Sequence, residues 1–127
     1  ALMNITNVVA GVITKENLFF IAQRNRKKYL GLKWEFPGGK VDENETNEEA
    51  LKRELKEELN ISIFVDKKIS EEKYKDETIN IILHYYFCKI IDGTINLNEH
   101  ENSKWVSKDD FNQYDMIEGD KNIIHFL

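Results

Sequence analysis

The sequence is poor in several things. It has one cysteine, one proline and three histidines in 127 residues, and no excess of positive charge. The lone cysteine, Cys88, excludes an intrachain disulfide and fits a reducing compartment. It stands in an apolar run and reads as a buried strand residue rather than a nucleophile. No apolar stretch reaches membrane-spanning length and no signal-peptide pattern opens the chain. A cytoplasmic protein without a membrane partner is therefore expected. Ala1 and Leu2, ahead of Met3, are given no weight. Basic side chains number 18 against 23 acidic ones, a formal net charge of -5. That argues against a nucleic-acid polymer as partner, because neutralising its phosphates needs a basic face. Small phosphorylated ligands stay open, since a divalent cation reverses the local sign of a site. Repeats, low-complexity tracts and linkers are absent as well.

What is present suits one domain over residues 1–127, with 41% hydrophobic and 11% aromatic residues to build a core. Apolar patterning predicts strands over residues 4–14 and 18–23, joined by a hairpin turn at Lys15-Glu16-Asn17. A basic loop covers residues 24–31. A short alternating segment at 33–36 is then broken by Pro37-Gly38-Gly39. A helix is predicted over 46–59 and strands over 61–65, 72–74 and 78–91, the last closed by a turn at Asp92-Gly93. A short strand at 105–107 and short helices at 108–113 and 121–126 complete the reading. Strands mixed with one strong central helix suggest an α/β (α+β) sandwich with a mixed sheet.

The central helix carries the chemistry. Thr46 with Glu49 three residues on is a capping-box start, and Asn60 can take a left-handed C-terminal position. Leu51, Leu55 and Leu59 recur every fourth residue as a buried stripe, with Glu49, Lys52 and Lys56 on the solvated face. Glu54, Glu57 and Glu58 share a face that borders the stripe. Glu48 has Lys52 and Glu49 has Arg53 four residues on, and Glu57 can reach back to Arg53. Glu54 and Glu58 have no basic residue three or four positions away; they have each other. Like charges so spaced repel by roughly 0.2–0.5 kcal/mol per pair when exposed, and more at a buried edge. Such a cluster calls for an external cation. Hard carboxylate oxygens without imidazole or thiolate favour Mg²⁺ or Mn²⁺ over zinc. From the helix alone, a solvated acidic face reads the same way. Gly38 and Gly39, a short polar loop upstream, allow close backbone approach to a ligand, although a plain tight turn has the same composition.

Taken together, these residues are more specific. Gly39, then Glu45, then Arg53-Glu54-Leu55-Lys56-Glu57-Glu58-Leu59-Asn60-Ile61 resemble the signature of the Nudix family, Gly-x5-Glu-x7-Arg-Glu-U-x-Glu-Glu-x-Gly-U with U aliphatic. One fixed position departs: Asn60 stands where the family has glycine, and asparagine is the next-best left-handed cap. Trp34-Glu35-Phe36-Pro37-Gly38-Gly39-Lys40 is similar to the MutT branch. The resemblance implies a mixed sheet between helices, with the signature as a loop–helix–loop. It also implies metal-dependent hydrolysis of X–P–P compounds. Glu54, Glu57 and Glu58, with the Gly39 carbonyl, would bind the divalent metal, Mg²⁺ or Mn²⁺. Arg53 would orient the glutamates and Glu45 would brace the helix. Either Glu54 or a loop acid would be the general base. By its offset from Trp105 the loop acid is Glu99, with Glu101 as second choice. A solvated acidic loop is the plainer reading of both.

For the nucleotide end, the resemblance points to Arg24, Phe36, Gly38 and Asp120. Arg24 ends the second strand, and Arg26, Lys27 and Lys28 read as a solvated basic loop. Phe36 could line a base pocket or fill core. Asp120 could read a base edge or cap the last helix. His84 and His125 read as structural, His100 as at most a loop contact, and Tyr85-Tyr86-Phe87 as strand core. The expected reaction is pyrophosphohydrolysis of a nucleoside triphosphate, an oxidised purine such as 8-oxo-dGTP or a pyrimidine such as CTP, by a monomer or homodimer. ADP-ribose-type and dinucleoside polyphosphate substrates are a second reading. The proline or tyrosine that such branches carry beyond the signature is replaced by Asp76-Glu77-Thr78. A non-catalytic binding module is a third, disfavoured because every signature glutamate is kept.

Overall fold

The computed structural model describes residues 4–127, so Ala1, Leu2 and Met3 lie outside the described residues. Seven strands form one sheet in the order β3-β2-β1-β6-β5, with β4 added to β1 and β7 to β2. The strands are β1 (Thr6–Lys15), β2 (Leu18–Gln23), β3 (Trp34–Glu35), β4 (Gly38–Lys40), β5 (Ile61–Lys75), β6 (Asn80–Gly93) and β7 (Asn102–Val106). The helices are α1 (Asn47–Leu59) and α2 (Glu118–Ile123), with 3₁₀ segments at Lys108–Gln113 and Ile124–Phe126. The sheet is mixed: β1 runs parallel to β6 and antiparallel to β2 and β4.

β1 is the spine because both its faces are covered. Val9 and Ile13 pack with Leu51, Leu55 and Leu59 of α1, while Ala10 and Val12 pack with Phe111 and Ile123 on the other side. A strand buried on both faces needs a near-continuous apolar run, which is what residues 8–13 supply. The expected α/β/α sandwich follows from these two cores. The three leucines of α1 are fully buried, each stabilising by roughly 1.5–3 kcal/mol. No helix among the described residues is long and apolar enough to cross a membrane.

The capping of α1 is as predicted. Thr46 and Glu49 bond each other's backbone N–H, and Asn60 is left-handed at φ 61 and ψ 34. The first hairpin turns through Glu16 and Asn17, both at positive φ, as a two-residue hairpin turn requires. Four expectations are corrected. Pro37-Gly38-Gly39 does not end the strand system: Gly38–Lys40 is β4, paired to β1. A Cβ at Gly38 would strike the carbonyl of Val9, so only glycine lets the backbones meet. The segments 61–65 and 72–74 are one strand, β5, with irregular register between Val65 and Ser70. The polar stretch that seemed to divide them lies on an edge strand, where bulges and charges are tolerated. The last helix begins at Glu118, three residues before the predicted 121, and β7 covers 102–106 rather than 105–107.

Candidate active site

The signature loop and helix are bound together by one guanidinium. Arg53 donates from Nε to Glu45 Oε2 at 2.6 Å and from Nη2 to Glu45 Oε1 at 2.9 Å and to the Lys40 carbonyl at 3.0 Å. Its Nη1 reaches Glu54 Oε1 at 3.0 Å and Glu57 Oε2 at 3.4 Å. The paired guanidinium holds the Glu45 carboxyl down at about 2, and its carboxylate partners hold Arg53 firmly protonated. This corrects the pairing read from helical spacing. Glu49 turns to its cap at Thr46 rather than to Arg53, and Glu54 does have a cation, the residue beside it in the chain.

Among the described residues, Glu58 is the buried carboxylate without a close partner. Its side chain is 6% exposed, the nearest cation-forming group is His100 Nε2 at 3.9 Å, and Oε2 is buried with no hydrogen bond. Burial, then the charges of Glu54, Glu35 and Glu99, push its carboxyl up to about 9. Glu54, 18% exposed, is raised too, chiefly by burial and against the pull of Arg53. A buried acid so perturbed by its acidic neighbours is the electrostatic mark of a site that takes up a cation. Gly39 completes the cradle: a Cβ there would fall on the Glu54 carboxylate.

A cleft of about 400 Å³ is lined by Gly39, Glu54, Glu58 and Glu99 at one end and by Arg24, Phe36, Gly38 and Asp120 at the other. Glu57 does not line it. It is 57% exposed and turned to Arg53, so the expected convergence of all three helix glutamates is met by two. Among the described residues no carboxylate, imidazole or thiolate groups close into a ready-made metal cage. Larger depressions lie elsewhere, one of about 660 Å³ between residues 14–16 and 93–95, but they lack paired buried acids.

The loop after β6 delivers Glu99. Asn98 is pinned to α1, its N–H on the Glu58 carbonyl and its amide on the Glu57 carbonyl. Glu99 then stands at the cleft mouth, 47% exposed and 3.9 Å from Lys28. Glu101 points away and is occupied by Arg26.

At the far end, β3 is laced to the C-terminal segment. Trp34 N–H donates to the Asp115 carbonyl, Ile117 N–H to the Trp34 carbonyl, and Phe36 N–H to Asp120 Oδ2 at 2.7 Å. Asp120 Oδ1 accepts from Tyr85 Oη at 2.6 Å. Asp120 is thus neither a helix cap nor a loop residue: it lies inside α2, and burial lifts its carboxyl to about 7 against the two donors. Phe36 is both core and cleft wall. Arg24 donates to Glu35 Oε1 at 2.8 Å, and Glu35 Oε2 receives His100 Nε2 at 2.9 Å.

Sequence reasoning passed over Glu35 and undervalued His100 and Lys28, whereas Tyr85 is strand core as expected and adds a hydrogen bond to Asp120. Glu35 alone carried a signal, an acid framed by two aromatics in a short strand. His84, by contrast, is structural as expected, bridging Asn7 and Lys68. Cys88 is buried, its thiol pushed up to about 12 and chemically quiet.

Known proteins resemble the chain over nearly its whole length. The model of the NUDIX domain family matches residues 5–127. The chain is 37% identical over 125 residues to a protein of Buchnera aphidicola named 8-oxo-dGTP diphosphatase, covering 98% of this chain and 95% of that one. It is 32% identical over 118 residues to an Escherichia coli protein named CTP pyrophosphohydrolase, covering 93% and 87%. The solution structure of the E. coli ORF135 protein superposes with a TM-score of 0.84 at 31% identity, over 97% of this chain and 88% of that one.

Proposed function

Because the chain belongs to the Nudix family and is a hydrolase of diphosphate bonds, we propose that it cleaves nucleoside triphosphates to the monophosphate and pyrophosphate. The observation that carries this is a cleft with buried, cation-hungry Glu58 and Glu54 at one end and a polar-edged pocket at the other. The names of the two relatives make 8-oxo-dGTP and CTP the first substrates to try.

Nudix hydrolases work with a divalent metal, and the residues here fit one. Glu58 Oε2 is a buried acceptor with no donor, Gly39 leaves the space its Cβ would fill, and the charged donors are hard oxygens. We assign Mg²⁺, replaceable by Mn²⁺, to Glu54, Glu58 and the Gly39 carbonyl, joined by Glu57 once it swings from Arg53. A cation held there would supply charge neutralisation for the diphosphate and a lowered pKa for a bound water. Glu99, exposed at the mouth, is placed to take the proton from the attacking water; the water oxygen bonds to phosphorus and the anhydride P–O bond breaks. Arg53 keeps Glu54 aimed and the Glu45 loop closed. Arg24, Phe36, Gly38 and Asp120 line the nucleotide's end. The protein acts in the cytoplasm as a monomer or homodimer, on a small-molecule substrate.

Turnover of a nucleotide panel with Mg²⁺ tests the reading. Glu58→Gln and Glu54→Gln should abolish most turnover, and Glu99→Gln should lower kcat while leaving KM near wild type. Full Mg²⁺-dependent turnover by Glu58→Gln would sink the proposal.

A further inference from the structure

His100 does not line the cleft; it is buried between Glu35 and Glu58, which do, and no role is assigned to it above. Its side chain is 4% exposed. Nε2 lies 2.9 Å from Glu35 Oε2 and 3.9 Å from Glu58 Oε1, while Nδ1 is buried without a partner among the described residues. A carboxylate only accepts, so Nε2 carries the hydrogen and donates to Glu35. Glu35 in turn accepts from Arg24 at 2.8 Å. The chain His100–Glu35–Arg24 therefore begins beside the acidic pair and ends on the nucleotide side.

The strap that carries His100 is fixed at both ends. Asn98 is bonded to the last turn of α1, and the Glu101 N–H to the Gln23 carbonyl of β2. The ring is thus inserted from a backbone that spans α1 and β2, and it is fastened inside through one nitrogen. Removing it leaves Glu35 held from the Arg24 side only. Glu35 Oε2 is then undirected, and Arg24, still anchored by its Nε on the Tyr29 carbonyl at 2.9 Å, faces a carboxylate free to turn about its one remaining bond.

We propose that His100 is a positioning residue for substrate binding, which sets Glu35 and through it Arg24 for the nucleotide. It rests on the nucleotide hydrolase reading above. The 2.9 Å bond to Glu35, against 3.9 Å to Glu58, assigns its effect to binding more than to turnover.

The test is steady-state kinetics of His100→Ala, His100→Gln and His100→Asn on the best triphosphate in Mg²⁺, with thermal melts alongside. Gln places an N–H near Nε2, whereas Asn places one near Nδ1. His100→Ala should raise KM about tenfold with kcat within about threefold, the weight of one charge-assisted hydrogen bond. Gln should restore most of that and Asn should not. In a Glu35→Ala background, His100→Ala should add nothing to KM. Unchanged KM in His100→Ala overturns the inference, as does equal loss in the Ala, Gln and Asn variants or a full His100→Ala effect without Glu35. Absence of turnover by the wild-type chain would instead strike the hydrolase reading itself, so the two failures are distinguishable.

Discussion

The two ends of the cleft are built on different principles. At the acidic end, Glu54, Glu57, Glu58 and Arg53 come from two turns of one helix, and Glu45 from the loop before it. At the nucleotide end, Arg24 follows β2, Glu35 and Phe36 lie on and after β3, His100 on the strap before β7 and Asp120 in α2. The first is a local motif whose side chains a helix places automatically. The second exists only once four distant segments are laced together. The difference also shows in charge. The acidic end keeps an orphaned oxygen on Glu58, whereas the polar groups opposite are spent on one another, Asp120 on Tyr85 and Phe36 and Glu35 on Arg24 and His100. One end keeps a buried acid without a hydrogen-bond donor; the other is a wall of mutually bonded groups.

Breaking the acidic end should have the largest effect. Glu58→Gln removes the buried carboxylate that a cation would satisfy and should lower kcat by about 10³-fold, read in saturating Mg²⁺. Glu57→Gln, on an exposed side chain paired to Arg53, should lose less than Glu58→Gln; equal losses would show that Glu57 swings fully into the cleft. Gly39→Ala places a methyl on the Glu54 carboxylate and should lower kcat by roughly 10²-fold through misplacement, with the fold retained by circular dichroism.

The nucleotide end can be probed by pH. Folded Asp120 holds its proton up to about pH 7, whereas the unfolded chain releases it near the ordinary value of about 4. Between these values the folded state binds more protons, so this residue's contribution to stability falls as pH rises from about 4 to about 7 and is level above. Asp120→Asn should remove that fall in urea titrations at pH 4.5 and 7.5; an unchanged pH slope would contradict the burial of the carboxyl. The smallest effect should come from Glu101→Gln. It breaks a solvent-screened pair with Arg26 and should leave kcat/KM within about twofold, measured beside Glu99→Gln.

The same contrast explains what could be read from the chain. The helix, its caps, the leucine stripe and the hairpin were legible because each is set by neighbours in sequence. Gly39, Glu45 and Arg53 were legible as a spaced pattern. The pairing of Arg53 was not, because helical spacing considers only residues three or four apart, while the guanidinium chose Glu45 across a loop and Glu54 beside it. The long β5 was hidden because an edge strand need not be apolar. His100 was hidden for a different reason: in the run Asn98-Glu99-His100-Glu101, nothing local says that one side chain turns inward while its acidic neighbours face the mouth and Arg26.

Hydrolysis of a diphosphate bond in this cleft, with a cation held by the α1 glutamates, is the proposal on which the kinetic predictions depend. Phosphorus NMR of a reaction with 8-oxo-dGTP or CTP in Mg²⁺ tests it most directly. The account predicts equimolar monophosphate and pyrophosphate, arrested by chelator and by Glu58→Gln. Nucleotide that stays intact although bound, or products that form at the same rate in chelator, would contradict it.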